Sequence, residues 1–436
     1  MDIFKYFGKK PVIIDSKLLE KERKEREDKE ADEEKNKQTA RETSKNRLYF
    51  DHASITPIDP KVEQTMRELS ARFHNPSSLY AEAVANKSLI TEARKTIASF
   101  FNVQSDEIIF TATGTEANNL AILGVFNAYR GKKTPHFVVS AIEHPSILEA
   151  CAEVERLGGQ VSYVLPEKNG MIDPKKVRAA LKTSTVLVSV MYANNEIGTI
   201  QPVSAIGRAV KEYRASRAEQ HKTNSDEIEY PFFHTDASQA PNYMPIHMGQ
   251  LSADMVTLDG GKVYGPRGVG LLAVRRAVPL HPIIFGGGQE KGLRSGTENV
   301  AAIVGFAQAL DITEKMREAE GERLIELREY AEEEIKNKFP EAIIHGDGAP
   351  RLPNIFNICF PGLDSEFAVI KLDHEGILAS SASACQNNAE ENYSPTVAAL
   401  PDIGDTCKRS SLRFSMGRTT TKKDVDVLLS SLGKLF

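Results

Sequence analysis

An α/β domain on a largely parallel sheet, followed by a smaller α+β domain, is the fold this sequence predicts. Between His136 and Asp236, short apolar runs alternate with amphipathic stretches, the texture of strand–helix–strand units. Beyond Asn299 a long helical stretch reaches about Lys338, and short strands then alternate with helices.

Ile108 to Phe110 reads as a strand, and His136 to Ser140 as a buried one. Ile147, Leu148, Cys151, Val154 and Leu157 make a helical stripe that Gly158 and Gly159 end. Val161 to Leu165 is the next strand and Pro174 to Leu181 the next helix. Thr185 to Met191, rich in β-branched residues, is a strand. Ser204 to Arg217 is a helix and Phe232 to Asp236 a strand. The polar stretch from Ala215 to Tyr230 reads as a surface loop. Strands near Ile343, Ile355 to Cys359 and Ile377 to Ala379 belong to the smaller domain. No internal repeat is present.

The 436 residues suggest about two or three domains. With 55 Lys+Arg against 60 Asp+Glu, the chain lacks the basic excess of a dedicated nucleic-acid binder. No apolar run is long enough to span a membrane, and Met1 to Lys10 does not read as a secretory signal. Residues 1–47 hold 14 Lys+Arg and 12 Asp+Glu, and from Lys17 to Arg47 the only large apolar residues are Leu18 and Leu19. Such a segment cannot bury enough surface to offset its ordering entropy, so a charged, disordered or helical extension is expected. The four cysteines, Cys151, Cys359, Cys385 and Cys407, form no CxxC pair, so reduced thiols in a cytoplasmic setting and no metal cluster are expected. Cys151 and Cys359 sit on apolar stripes and read as packing residues; Cys407 lies in a polar stretch that suggests exposure.

Thr111 to Asn119 follows a strand and opens a helix. Its small and hydroxylic residues suit an anion at the helix N-terminus, and a plain cap at Thr115 reads equally well. Asp236 ends a strand, either as a cap or aimed into a cleft. Lys262 lies between glycines and tyrosine in Leu258-Asp-Gly-Gly-Lys-Val-Tyr-Gly265; a solvated loop lysine is the ordinary reading and an amine nucleophile the sharper one. Cys385 follows small polar residues, Ser380-Ser-Ala-Ser-Ala, in a context that suits an accessible thiolate.

Taken together these segments resemble the cysteine desulfurases, pyridoxal 5′-phosphate (PLP) enzymes of the class V aminotransferase group with the type I PLP fold. The matching blocks run in family order from Leu48 to about Phe436. They are Tyr49-Phe-Asp-His with Thr56-Pro57, residues 111–119, Glu143-His144-Pro145, and Ala193-Asn-Asn-Glu-Ile-Gly198. His234-Thr-Asp-Ala-Ser-Gln239, Lys262 with Tyr264-Gly-Pro266, Gly286 to Thr297, Cys385, and Arg413-Phe-Ser-Met-Gly-Arg418 complete the set. The resemblance implies a large domain over 48–305 with a mostly parallel seven-stranded sheet, and a small domain over 306–436.

It also implies roles. Lys262 would hold PLP through its amine and move the Cα proton. Asp236 would face the pyridine nitrogen and Gln239 the phenolic oxygen. His144 would stack on the ring, and Asn194 would supply an amide beside ring and substrate. Gly114 and Thr115 would cradle the phosphate, with Thr297 reaching it from the other subunit of a homodimer. Arg413 would grip the carboxylate of L-cysteine. Cys385 would take its sulfur as a persulfide, for transfer to an iron–sulfur scaffold or a thiolation enzyme.

Departures from the family cluster near these positions. Asp259 and Gly261 stand where a serine and a histidine are usual, Ala81 where a histidine is, Ser54-Ile55 where a small residue and Thr are, and Ala112-Thr113-Gly114 where Ser-Gly-Ala is. They admit a related PLP lyase or aminotransferase with a shifted substrate, such as selenocysteine, and a catalytically weak binding or scaffold protein.

Overall fold

Seven strands form the central sheet of the computed structural model, which describes residues 47–131, 134–220, 230–381 and 394–435. The charged extension, up to residue 46, and Cys385 lie outside the described residues. Contacts divide the chain into Met1–Leu48 and Tyr49–Phe436, and both sheets described belong to the second unit.

The strands are β1 Ile108–Thr111, β2 His136–Ser140, β3 Gln160–Val164, β4 Thr185–Ser189, β5 Phe232–Asp236, β6 Met255–Asp259 and β7 Gly270–Val274. Their order across the sheet is β1-β7-β6-β5-β4-β2-β3. Only β7 runs antiparallel to its neighbours, between β1 and β6. Most strands are buried along their whole length because both faces are covered. Successive residues therefore enter opposite cores: Phe232 packs with Leu120 and Val154 on one face, and Phe233 with Ile97, Ile206 and Phe306 on the other.

Five helices matter most for position. They are α1 Ala81–Phe101, α2 Gly114–Tyr129, α3 Pro145–Arg156, α4 Val203–Gln220 and α5 Val300–Lys338. Thr113 caps α2, its hydroxyl accepting from the Glu116 N–H. His144 caps α3 just ahead of Pro145, whose missing N–H costs nothing at a first helical position. Helix α4 continues to Gln220, beyond the expected loop start at Ala215, because Ala215 to Gln220 are mostly good helix formers.

The smaller sheet holds β8 Ile343–Ile344, β9 Ile355–Cys359, β10 Ser380–Ser381 and β11 Ser411–Ser415, in the order β10-β11-β9-β8, all antiparallel. Helix α5 runs unbroken across residues 305 and 306.

The thiols correct the sequence reading. Cys359, at the end of β9, is joined by a disulfide to Cys407 of the short helix Gly404–Arg409. Cys407 is buried rather than exposed. The two are 48 residues apart in sequence, and only the packing of that helix against the sheet brings their Cα atoms to 5.3 Å. Cys151 is a free, buried thiol whose pKa burial pushes up.

Four buried histidines predict an acid limit to stability. His136 lies between Thr185 and Ser162 at 2.8 and 2.9 Å, and His234 between Ser189 and Thr257 at 2.9 and 3.0 Å. His345 meets Ser411 at 2.8 Å, and neither ring nitrogen of His52 has a hydrogen-bond partner among the described residues. Burial pushes each of the four down to about 4. The folded state thus prefers the neutral form, and its advantage is intact above the unfolded value of about 6.5. It is lost as pH falls through 4. Thermal midpoints should be level near pH 7–8 and drop steeply between pH 6 and 4; a flat profile across that window would contradict this assignment.

Candidate active site

The carboxyl ends of the parallel strands open into one cavity of about 450 Å³. In α/β sheets this is where ligands bind, because loops diverge there and helix N-termini point inward. Gly114 and Thr115 after β1, His144 after β2, Asp236 at the end of β5 with Gln239 beyond it, and Asp259 at the end of β6 with Lys262 beyond it all line it, with Arg413 from β11.

Asp236 is buried. One carboxylate oxygen accepts from the Ser238 N–H at 2.9 Å, the other from the Asn118 amide at 2.7 Å. Asn118 also donates to the Ser146 hydroxyl at 2.9 Å, and that hydroxyl sits 2.8 Å from His144 Nδ1. A polar chain thus links Asp236 to His144. Since His144 Nδ1 accepts from the Ser146 N–H at 3.1 Å, a neutral ring carries its proton on Nε2. Burial lowers the His144 pKa; the carboxylate of Asp236 opposes this and the Lys262 ammonium adds to it.

Glu143 sits below the same loop. It accepts from the Ser140 hydroxyl and, at 2.7 Å, from the Met191 N–H. Burial raises its pKa to about 8, against the pull of those hydrogen bonds. Sequence reasoning assigned no role to Asn118, Ser146 or Glu143, although all three lie in or beside the quoted motifs. The available signal was polarity at positions otherwise buried among apolar neighbours.

Lys262 follows β6 in a single 3-10 turn. Its Nζ donates to the carbonyls of Ala53, at 2.9 Å, and Ser54. Gln239 donates to the same Ala53 carbonyl at 2.8 Å. Arg413 Nη2 donates to Asp51 at 2.7 Å and to the Ser54 hydroxyl at 2.6 Å, while Nη1 donates to the Asn195 carbonyl at 3.1 Å. The loop 51–54 therefore meets both cations, and Arg413 Nε is buried without an acceptor.

Three positions that the resemblance singled out lie outside this cavity. Asn194 is fully buried behind the cavity. Its amide donates to the Ile142 carbonyl at 3.0 Å, and its oxygen accepts from the Glu196 and Ile197 N–H groups at 2.8 and 2.9 Å. It shapes the turn, and Asn195 is the neighbour that lines the cavity. Thr297 is exposed and borders a separate cavity of about 110 Å³. Ala81 opens α1, exposed and outside the cavity, so that departure does not alter the pocket wall of its own chain. Ser394, the first described residue after Cys385, donates to Glu196, as does Thr396 at 2.9 Å.

A pyridine aldehyde phosphate meets a suitable donor set at its ring end: an amine, a buried carboxylate, an amide and a neutral imidazole in one cavity. The phosphate end differs. The N-terminus of α2 meets the Asp259 carboxylate, which accepts from the Gly114 N–H at 2.8 Å and from the Gly261 N–H at 2.8 Å. The glycines hold this corner tight. A Cβ on Gly114 would come within 3.1 Å of the Asp259 Cβ, and one on Gly270 within 2.5 Å of the Thr113 carbonyl carbon. The residues fit the group once that carboxylate gives way.

The chain matches the aminotransferase class-V family over residues 48–428. It is 36 % identical over 392 residues to the cysteine desulfurase IscS of Dictyoglomus turgidum, covering 90 % of this chain and 95 % of that protein. Among solved structures, a NifS-like protein from Rickettsia africae superposes with a TM-score of 0.78 at 29 % identity, over 89 % of this chain and 99 % of the other. SspA, solved in complex with cysteine, superposes with a TM-score of 0.71 at 32 % identity, over 85 % and 98 %. The expected fold is therefore the observed one, and the chain belongs to the class V aminotransferase family, within its cysteine desulfurases.

Proposed function

We propose that this chain takes L-cysteine, releases L-alanine and retains the sulfur on Cys385 as a persulfide. The substrate C–S bond breaks as an S–S bond forms, and the Cys385 thiol proton and electrons balance in alanine. The observation that carries this reading is the convergence of Lys262, Asp236, Gln239, His144 and Arg413 on one cavity.

PLP, when bound, supplies an aldehyde and an electron-accepting ring that lets bonds at the substrate Cα break. Lys262 would hold it and carry the Cα proton. Asp236 would keep the ring nitrogen protonated, as a buried anion beside it does. Gln239 would meet the phenolic oxygen, and Gly114 and Thr115 the phosphate. His144, uncharged near pH 7, lies against the site with a proton on Nε2 to exchange. Arg413, already oriented by Asp51 and Ser54, would set the substrate carboxylate.

A homodimer is supported by Thr297, exposed and away from its own cavity, and by exposed Phe73, Leu79 and Phe285. The proposal places the enzyme in the cytoplasm, passing sulfur to an iron–sulfur scaffold or a thiolation enzyme. Among the described residues no helix is long and apolar enough to cross a membrane.

The test is incubation with L-cysteine, measuring alanine and protein-bound sulfur. Wild type should form both. Cys385→Ala should form neither above background; alanine at the wild-type rate would overturn the persulfide step.

A further inference from the structure

The cradle that should take the cofactor phosphate is served by a side chain of the protein itself. Helix α2 is 16 residues long, so its first-turn N–H groups carry a substantial positive field. Thr113 takes the Glu116 N–H at 3.1 Å, and Asp259 takes the Gly114 N–H at 2.8 Å. Between these two donors, the Thr115 N–H has no acceptor among the described hydrogen bonds. The Glu116 carboxylate is turned to the Ala112 N–H at 3.0 Å and to Arg294 at 2.8 Å, so it leaves the cradle clear. Asp259 does not.

Its position is firmly held. Asp259 is the last residue of β6, paired with Gly270 of β7, and its second oxygen is tied to the Gly261 N–H. Residue type alone does not fix the direction of this side chain. The carboxylate points in, and it occupies a donor that a phosphate dianion would use.

We propose that Asp259 competes with the cofactor's phosphate for the N-terminus of α2 and so sets the cofactor affinity of this enzyme. This rests on the PLP reading above. Two anions cannot share one N–H at hydrogen-bond distance, and their repulsion in a partly buried corner is far larger than in water. Phosphate entry must therefore displace the carboxylate from Gly114. Serine at this position would offer a hydroxyl in place of the charge, keep a cap for the neighbouring backbone, and donate to the phosphate.

The experiment uses the full chain, freed of cofactor by dialysis against hydroxylamine. It compares wild type, Asp259→Ser, Asp259→Asn and Lys262→Ala. Each is titrated with PLP and with pyridoxal, which lacks the phosphate, following the visible absorbance of the lysine-bound aldehyde and the retained cofactor after ultrafiltration. Asp259→Ser should bind PLP at least about tenfold more tightly than wild type, and Asp259→Asn should move the same way. Pyridoxal affinity should be unchanged, and inorganic phosphate should compete with PLP more strongly in Asp259→Ser. Equal PLP affinity in wild type and both variants overturns the inference while leaving the cofactor reading intact. An equal gain for pyridoxal also overturns it, because the effect would not concern the phosphate. If no variant binds PLP beyond the Lys262→Ala background, the cofactor reading itself falls and takes this inference with it.

Discussion

Lys262→Ala should lower L-cysteine turnover by about a thousandfold or more and abolish the visible absorbance of lysine-bound cofactor. Among the described residues, Lys262, Arg267 and Arg413 are the cations lining the cavity. Of these only an amine can condense with an aldehyde and also exchange a proton near neutral pH; a guanidinium stays protonated. The Lys262 amine is held against the carbonyls of Ala53 and Ser54, which aim it without neutralising its charge. Removing it should leave the fold intact, since it is only half-buried and its turn is held by Asn242 donating to the Lys262 carbonyl at 2.8 Å. Unchanged thermal stability with lost turnover is the expected pair of results. Retained turnover would remove Lys262 from the chemistry.

Arg413→Ala should be costly in a different way. The guanidinium is 3 % exposed and its partner Asp51 is 23 % exposed. Taking away one member of a largely buried pair leaves the other charge without its counter-ion, at about 3 kcal/mol. The thermal midpoint should fall, and KM for L-cysteine should rise by about a hundredfold as the carboxylate grip is lost. Arg413→Lys separates the two effects. It restores a charge near Asp51 but cannot contact Asp51, Ser54 and Asn195 with one planar fork. Stability should largely return while KM stays high. A normal KM in Arg413→Lys would show that charge alone, without orientation, suffices.

The strands were legible because both faces of the central sheet are buried, and β-branched or aromatic runs such as Thr185–Ser189 and Phe232–Asp236 have few alternative readings. The helix start at Pro174 was legible from its proline, whereas the cap expected at Thr115 lies two residues earlier, at Thr113. The end of α4 was misjudged because polar composition resembles a loop while its residues still favour a helix. The site was legible mainly through the ordered motifs. Spacing could place Lys262, Asp236 and Arg413 on the chain, but a match in type carries no direction for a side chain. Asn194 shows this: the residue type is as expected, yet its amide is consumed by the turn it builds.

Sequence alone determined the α/β architecture, through local periodicity, and the family, through the resemblance of its ordered motifs; that resemblance also named the candidate site residues. Tertiary structure decided what depends on contacts between distant segments. It placed β7 antiparallel between β1 and β6, joined Cys359 to Cys407, and linked Asp236 through Asn118 and Ser146 to His144. It also turned Asp259 into the N-terminus of α2, across 145 residues of chain, because β6 and α2 meet only when the sheet is assembled.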